Sequence, residues 1–192
     1  MASKSGLSLL KYLLFVGLSL FGHLHLMAQP EEVLKLMNEV RTTPQVFLQM
    51  RLLPYVKEKE MESNTYAQSL IEELKVAKPK NPLQSSPVLT KLAQGHALDM
   101  GQKGKVGHTS SNGMTFENRV RKKIKTGMVA ENCDYGNAEP VDIVMSLLID
   151  DGITSLGHRK NILHPSLNFV GIAIEKHKTY RINCVMDFAG TN

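Results

Sequence analysis

Gly157-His158-Arg159-Lys160-Asn161-Ile162-Leu163 is the stretch from which the rest of this 192-residue chain can be read. It follows an acidic turn, Asp150-Asp151-Gly152, and precedes an apolar, β-like run over residues 169–175. A histidine framed by glycine on one side and a short amphipathic turn on the other is held where its ring can face a cleft. Two further segments, Gly107-His108-Thr109-Ser110 and Ala130-Glu131-Asn132, are its natural partners if the chain folds back on itself. The three histidine and glutamate positions lie on separate elements, so no local His-Glu-x-x-His spacing applies and their meeting has to come from the fold.

Outward from that stretch, helical and extended patterns interleave. Val33, Leu36, Met37 and Val40 share one helical face. Thr43-Pro44 reads as a cap with proline at the first helical position, restarting a helix that turns Phe47, Leu48 and Met50 inward and that Pro54 ends. Thr65 is placed to cap the next helix, whose stripe is Tyr66, Leu70, Leu74 and Ala77. Ser86-Pro87 repeats the cap-then-proline signal and opens a stronger helix carrying Leu89, Leu92, Ala93, His96, Ala97 and Met100 on one face. His96 therefore reads as a packing residue and is left out of the site. His108 falls in the glycine-containing loop that follows. Thr115 caps a short basic helix with Phe116, Val120 and Ile124 inward and Arg119, Arg121, Lys122 and Lys123 mostly outward. Residues 128–134 leave it as a strand, Pro140 begins a helix that ends at Asp150, and residues 169–175 and 180–188 form a hairpin. Helices, then helix and strand alternating, then an antiparallel pair imply helices on both faces of a small sheet.

The length is that of one domain able to bury its own core. The amino terminus has the form of a secretory leader: Lys4 and Lys11, an apolar run around residues 12–21, then Leu26-Met27-Ala28 before Gln29-Pro30, giving a leader at 1–28 and one domain at 30–192. The apolar run is short of the roughly 20 residues a spanning helix needs, so no stable membrane anchor is expected. Of the net charge of +5, Lys4 and Lys11 contribute two, leaving +3 on the processed chain. With tryptophan absent and no long basic block, no nucleic-acid partner is expected. Secretion, to the extracellular space or the periplasm of a bacterium, gives the two cysteines, Cys133 and Cys184, an oxidising compartment in which to pair. Both sit in β-like runs, and a bridge closing some 50 residues would contribute on the order of 4 kcal/mol. The alternative is two buried free thiols.

Gly-His-Thr-Ser, Ala-Glu-Asn and Gly-His-Arg-Lys-Asn-Ile-Leu, in that order, resemble the CAP superfamily of cysteine-rich secretory proteins, antigen 5 and pathogenesis-related proteins, and its compact microbial branch above all. Asn38-Glu39-Val40-Arg41-Thr42-Thr43-Pro44 is similar to the opening helix of that branch. The resemblance covers residues 30–192 and implies an α+β fold, a three-layer α-β-α sandwich around a small, mainly antiparallel sheet. It also implies a cleft formed by His108, Glu131, Asp150 and His158, with Asp151 the alternative to Asp150 as second acid. Arg159 stands where the animal and plant branches have an aromatic residue, and Ala130 where glycine is usual.

That set has a chemical rationale. Two neutral imidazoles, His108 and His158, supply the nitrogen ligands of a zinc site with positions left open for water or a substrate oxygen. The carboxylates then orient the rings or accept a proton, with Glu131 the candidate base. No serine stands on a strand-to-helix elbow, so nucleophilic acyl transfer finds no support. Two functions follow as expectations: a secreted binding protein for a small or apolar ligand or a cell-surface component, or a metal-assisted hydrolase acting on peptide or cell-wall material.

Overall fold

The computed structural model describes residues 29–125 and 127–190; the leader expected at 1–28 lies outside them. A first helix, α1, covers residues 29–42 and buries Val33, Leu36, Met37 and Val40, the four positions of its apolar stripe. Its Arg41 is fully buried. The guanidinium is caged by carbonyls, donating to Asn81 O (2.9 Å), Ile162 O (2.6 Å), His164 O (3.0 Å) and Leu167 O (3.0 Å).

After Thr43, α2 (Pro44–Phe47) runs without a break through a π-helical turn (Leu48–Leu52) into α3 (Leu53–Glu58). Pro54 was expected to end this helix and instead occupies its restart. Proline lacks an N–H and its ring crowds the carbonyl one turn earlier, and the wider π turn relieves that conflict without stopping the chain. α4 (Thr65–Val76) is capped by Asn64, whose side chain accepts from Ala67 N at 2.9 Å, so Thr65 is the first helical residue and not the cap. Ser86 and Thr115 do cap α5 (Pro87–Lys103) and α6 (Phe116–Val120).

The sheet has the order β1-β3-β4-β2, with β1 Gln84–Ser85, β2 Val129–Tyr135, β3 Phe169–His177 and β4 Arg181–Ala189. β1, a two-residue strand not foreseen in the sequence, pairs parallel with β3, and the other pairings are antiparallel. α7 (Pro140–Ile149) and α8 (Gly157–Ile162) connect β2 to β3. Strand alternation sorts the side chains into two clusters. Val170, Ile172, Ile174, Cys184, Met186 and Phe188 join the large core with α1, α4 and α7. Ala173, Val185 and Cys133 meet Ala93 and Ala97 of α5 on the other face. The architecture is thus an α+β sandwich with helices on both sides of a four-stranded mixed sheet.

α5 lies unusually close to that sheet. A Cβ on Gly171 would stand 1.9 Å from Thr90 N and 2.0 Å from the Leu89 carbonyl carbon, and one on Gly101 would stand 2.0 Å from Lys176 O. Glycine at both positions lets the helix backbone rest on β3.

The disulfide expectation is overturned: Cys133 and Cys184 are free and buried. Cys133 is opposite Val185, and Cys184 is opposite Asp134, one step out of register. Since side chains alternate across a strand, that single step sends the two sulfurs to opposite faces of the sheet, and proximity along neighbouring strands cannot bring them together.

Candidate functional site

β2 is an edge strand, and the site is built around it. Its alternation aims Glu131 and Cys133 toward the α5 side and Asn132 and Asp134 toward α7 and α8. The loop after α5 is fixed through Gly107. Its N–H donates to the Tyr135 hydroxyl (2.9 Å), and its carbonyl accepts from His96 Nε2 (2.9 Å). His96 is 1% exposed, and its burial disfavours protonation.

His108, the next residue, donates from Nδ1 to Glu131 Oε1 at 2.9 Å. The other glutamate oxygen, Oε2, takes Arg119 Nη2 in a buried charge-assisted contact. Arg119 also donates from Nη1 to His108 O (3.2 Å) and Ser110 Oγ (3.1 Å), tying the histidine loop to the strand. Burial by itself would raise the Glu131 carboxyl, but the His108 hydrogen bond and the Arg119 charge outweigh it and hold it below the usual range. Arg119 was read as an outward residue of a basic face. It is 8% exposed, and its spacing of three from Phe116 was the signal that puts it on the inward side.

Behind Glu131, directly across the ladder, stands Asp187. It is fully buried, and neither oxygen meets a donor among the described residues. What it faces is the Glu131 carboxylate, itself an acceptor. Of the two facing carboxyls Asp187 is the one pushed toward its protonated form: burial first, and the Glu131 charge second, raise it well above the usual range. Asp187 had no place in the sequence reading, because a single acidic residue in an apolar strand gives no hint of what it opposes.

His158 is positioned by Asp150. α7 ends on Asp150 in the left-handed conformation (φ 60°, ψ 40°). From there the Asp150 carboxylate accepts from His158 N (2.9 Å), Arg159 N (3.4 Å) and His158 Nδ1 (2.7 Å). It therefore caps α8 from eight residues upstream and orients the ring in the same stroke. The neighbouring acid, Asp151, bonds Asn64 Nδ2 at 3.0 Å instead. Across β2, Asn132 Nδ2 donates to His158 O (3.0 Å), and Asn161 Nδ2 donates to Asn132 Oδ1 (2.8 Å), which completes the tie between α8 and the strand.

The structure thus brings His108, Glu131, Asp150 and His158 to one edge of the sheet, with the two imidazole centroids 6.5 Å apart. Each ring spends Nδ1 on a carboxylate, which leaves both Nε2 atoms as lone-pair donors when the rings are neutral. Two imidazoles on one tetrahedral zinc, at roughly 2.0–2.1 Å for each Zn–N bond, place their centroids roughly 5 Å apart. The donor set suits the ion and the rings need to close by about 1 Å to share it. A second group lies deeper: His96, Glu131 and Cys133 are all buried and offer ligand atoms within 4.8 Å of one another, close enough that they could hold a metal ion. Burial keeps the Cys133 thiol protonated, far above its ordinary range.

Beside His158 opens a cleft of about 410 Å³, within the size range of small-molecule sites. Its wall includes Tyr55, Met61, Tyr135, Leu147, Ile149 and Ile153 together with Asp134, Asn137, Ser146, Asp150 and Asp151. Asp134 is 5% exposed, and desolvation raises its carboxyl above the ordinary value.

Among solved structures the chain is similar to an outer surface protein of Borrelia burgdorferi, at 20% identity and a TM-score of 0.50 over 70% of this chain and 95% of that one. It is also similar to an extracellular protein of Bacillus anthracis containing an SCP domain, at 21% identity and a TM-score of 0.49 over 66% of this chain and 39% of that one. No curated protein sequence matches it. No helix among the described residues is long and apolar enough to cross a membrane. The family model for the cysteine-rich secretory proteins matches residues 34–188, so the chain belongs to the CAP family.

Proposed function

We propose that this chain is a secreted binding protein that takes a small, partly apolar ligand in the cleft beside His158, with His108 and His158 able to hold a divalent ion at its mouth. The observation that carries the reading is the pair of imidazoles anchored through Nδ1 by Glu131 and Asp150, next to a cavity of about 410 Å³. An ion held by the two Nε2 atoms would offer an open position to a ligand oxygen. The leader-like residues 1–28 and the likeness to an outer surface protein support export.

Binding is favoured over metal-assisted hydrolysis by the state of the acids. A general base must be free to accept a proton. Glu131 is engaged at both oxygens by His108 and Arg119 and its carboxyl is held low. Asp150 is engaged by three N–H donors. Both serve as orienting groups.

Equilibrium zinc titration of the full processed chain tests the reading. Replacing His108 and His158 together by glutamine is expected to weaken zinc binding at least tenfold, whereas Cys133→Ser leaves it unchanged. Unchanged affinity in the double variant would refute the paired-histidine site. Loss in Cys133→Ser would place the ion in the His96, Glu131 and Cys133 group.

A further inference from the structure

The wall of the cleft is acidic. Three aspartates line it, Asp134, Asp150 and Asp151, and among the described lining residues there is no lysine or arginine. The lysine beside Tyr55, Lys59, is occupied by Asp142 (3.4 Å) and Glu58 (3.5 Å). Asp150 is saturated by the N–H groups of α8, and Asp151, which is exposed, accepts from Asn64. Asp134 is different. Its Oδ2 accepts from Asn137 Nδ2 at 2.9 Å and the Ser146 hydroxyl stands beside the same carboxyl. Its Oδ1, buried, has no partner among the described residues. A buried carboxylate oxygen with no donor is costly to keep, by roughly 1–3 kcal/mol or more.

We propose that Asp134 is the recognition residue of the cleft and that the ligand is a primary ammonium carried on a short apolar chain. The proposal rests on the cleft binding argued above, independently of the ion, and names its ligand class. An ammonium has three donors and no acceptor. Asp134 Oδ1, the Ser146 hydroxyl and the Asn137 side-chain carbonyl give it acceptors within one wall. Tyr55, Met61, Leu147, Ile149 and Ile153 supply apolar surface for the attached chain. A divalent cation needs several free oxygen ligands, and Asp150, which already accepts from three N–H donors, has none to spare.

Hexylamine, hexanol and hexanoate, similar in length and different in charge, serve as probes in chemical-shift titrations of the full processed chain at pH 7. The expected result is hexylamine binding at least tenfold more tightly than hexanol, with hexanoate the weakest. Contacts of the hexylamine C1 protons should fall on Asn137 and Ser146. Asp134→Asn, which keeps an acceptor for Asn137, should bring hexylamine down to the level of hexanol. Hexylamine binding no better than hexanol, or contacts beside Asn64 and Asp151, overturns the assignment of Asp134 while leaving cleft binding intact. If none of the three shifts resonances of the cleft wall, the proposed binding function falls with it.

Discussion

Arg159→Met offers the sharpest test of how the site is held. α7 stops at the left-handed Asp150, which leaves the Leu148 and Ile149 carbonyls at the helix end without intrahelical donors. Arg159, 2% exposed, supplies them: Nε donates to Leu148 O at 2.7 Å and Nη2 to Ile149 O at 3.0 Å. The guanidinium also reaches Tyr66 O (3.0 Å), Ser69 Oγ (3.0 Å) and Glu73 Oε2 (3.3 Å) on α4. Methionine fills the space and donates nothing. Glu73 is partly exposed and recovers water, and Tyr66 O keeps the Ser69 hydroxyl at 2.7 Å. Two carbonyls are left buried and unpaired, at about 1–3 kcal/mol each. The favourable charge at the α7 carboxyl end is lost as well, worth about 0.3–1 kcal/mol. The expected loss is therefore roughly 2–5 kcal/mol after the gain from burying an apolar side chain in place of a charge. Urea unfolding followed by circular dichroism reads it directly, with an unchanged m-value showing that the same surface unfolds. Arg159→Lys, unable to span five acceptors from one point, should fall between. A loss under about 0.5 kcal/mol for the methionine variant would refute the view that this arginine caps α7 and seats α8.

Other perturbations probe other parts of the argument. Asp187 keeps a raised carboxyl in the folded state and ionises normally when unfolded. Wild-type stability should therefore fall relative to Asp187→Asn, by about 1.4 kcal/mol per pH unit, as pH rises from the unfolded value toward the folded one. Denaturation at a series of pH values reads the slope, and a pH-independent difference would show that the Asp187 carboxyl is not raised. Glu131 has the opposite sign: its low carboxyl stabilises above the ordinary glutamate range, and that contribution is lost as pH falls through its folded value. Because Cys133 and Cys184 are free, the urea midpoint should be the same with and without dithiothreitol, and the denatured chain should titrate as two thiols; a thiol count near zero contradicts this. Gly171→Ala drives a methyl into the Thr90 and Leu89 backbone and should cost about 3 kcal/mol, measured by the same denaturation, with wild-type stability the refuting result.

Period and punctuation made the helices readable. The stripe of α1, the Ser86-Pro87 start of α5 and the Thr115 cap of α6 are local signals obeyed locally. The errors fall where a distant or geometric partner decides. Pro54 does not end a helix, because a π turn makes room for it. Arg119 is buried because Glu131 waits twelve residues on. The cysteine pairing fails on a register offset of one residue, which no spacing along the chain displays. Of the site, His108, Glu131, Asp150 and His158 could be named from the family resemblance; the structure sets them at one edge of the sheet, and of the four Asp150 and His158 line the cleft. Asp187 and the capping role of Asp150 could not be named so, since both depend on which strand or helix end lies opposite.

Arg41 ties the beginning of the domain to its end. Its carbonyl partners at Ile162, His164 and Leu167 lie 121, 123 and 126 residues downstream. During synthesis the first helix emerges with a charged side chain whose seat does not yet exist, and that side chain stays hydrated until the segment after α8 has been made. Closure of the cage is thus a late event, in which the carbonyls give up water together with the arginine that replaces it. A chain interrupted before residue 162 lacks three of the four carbonyls that hold the Arg41 side chain.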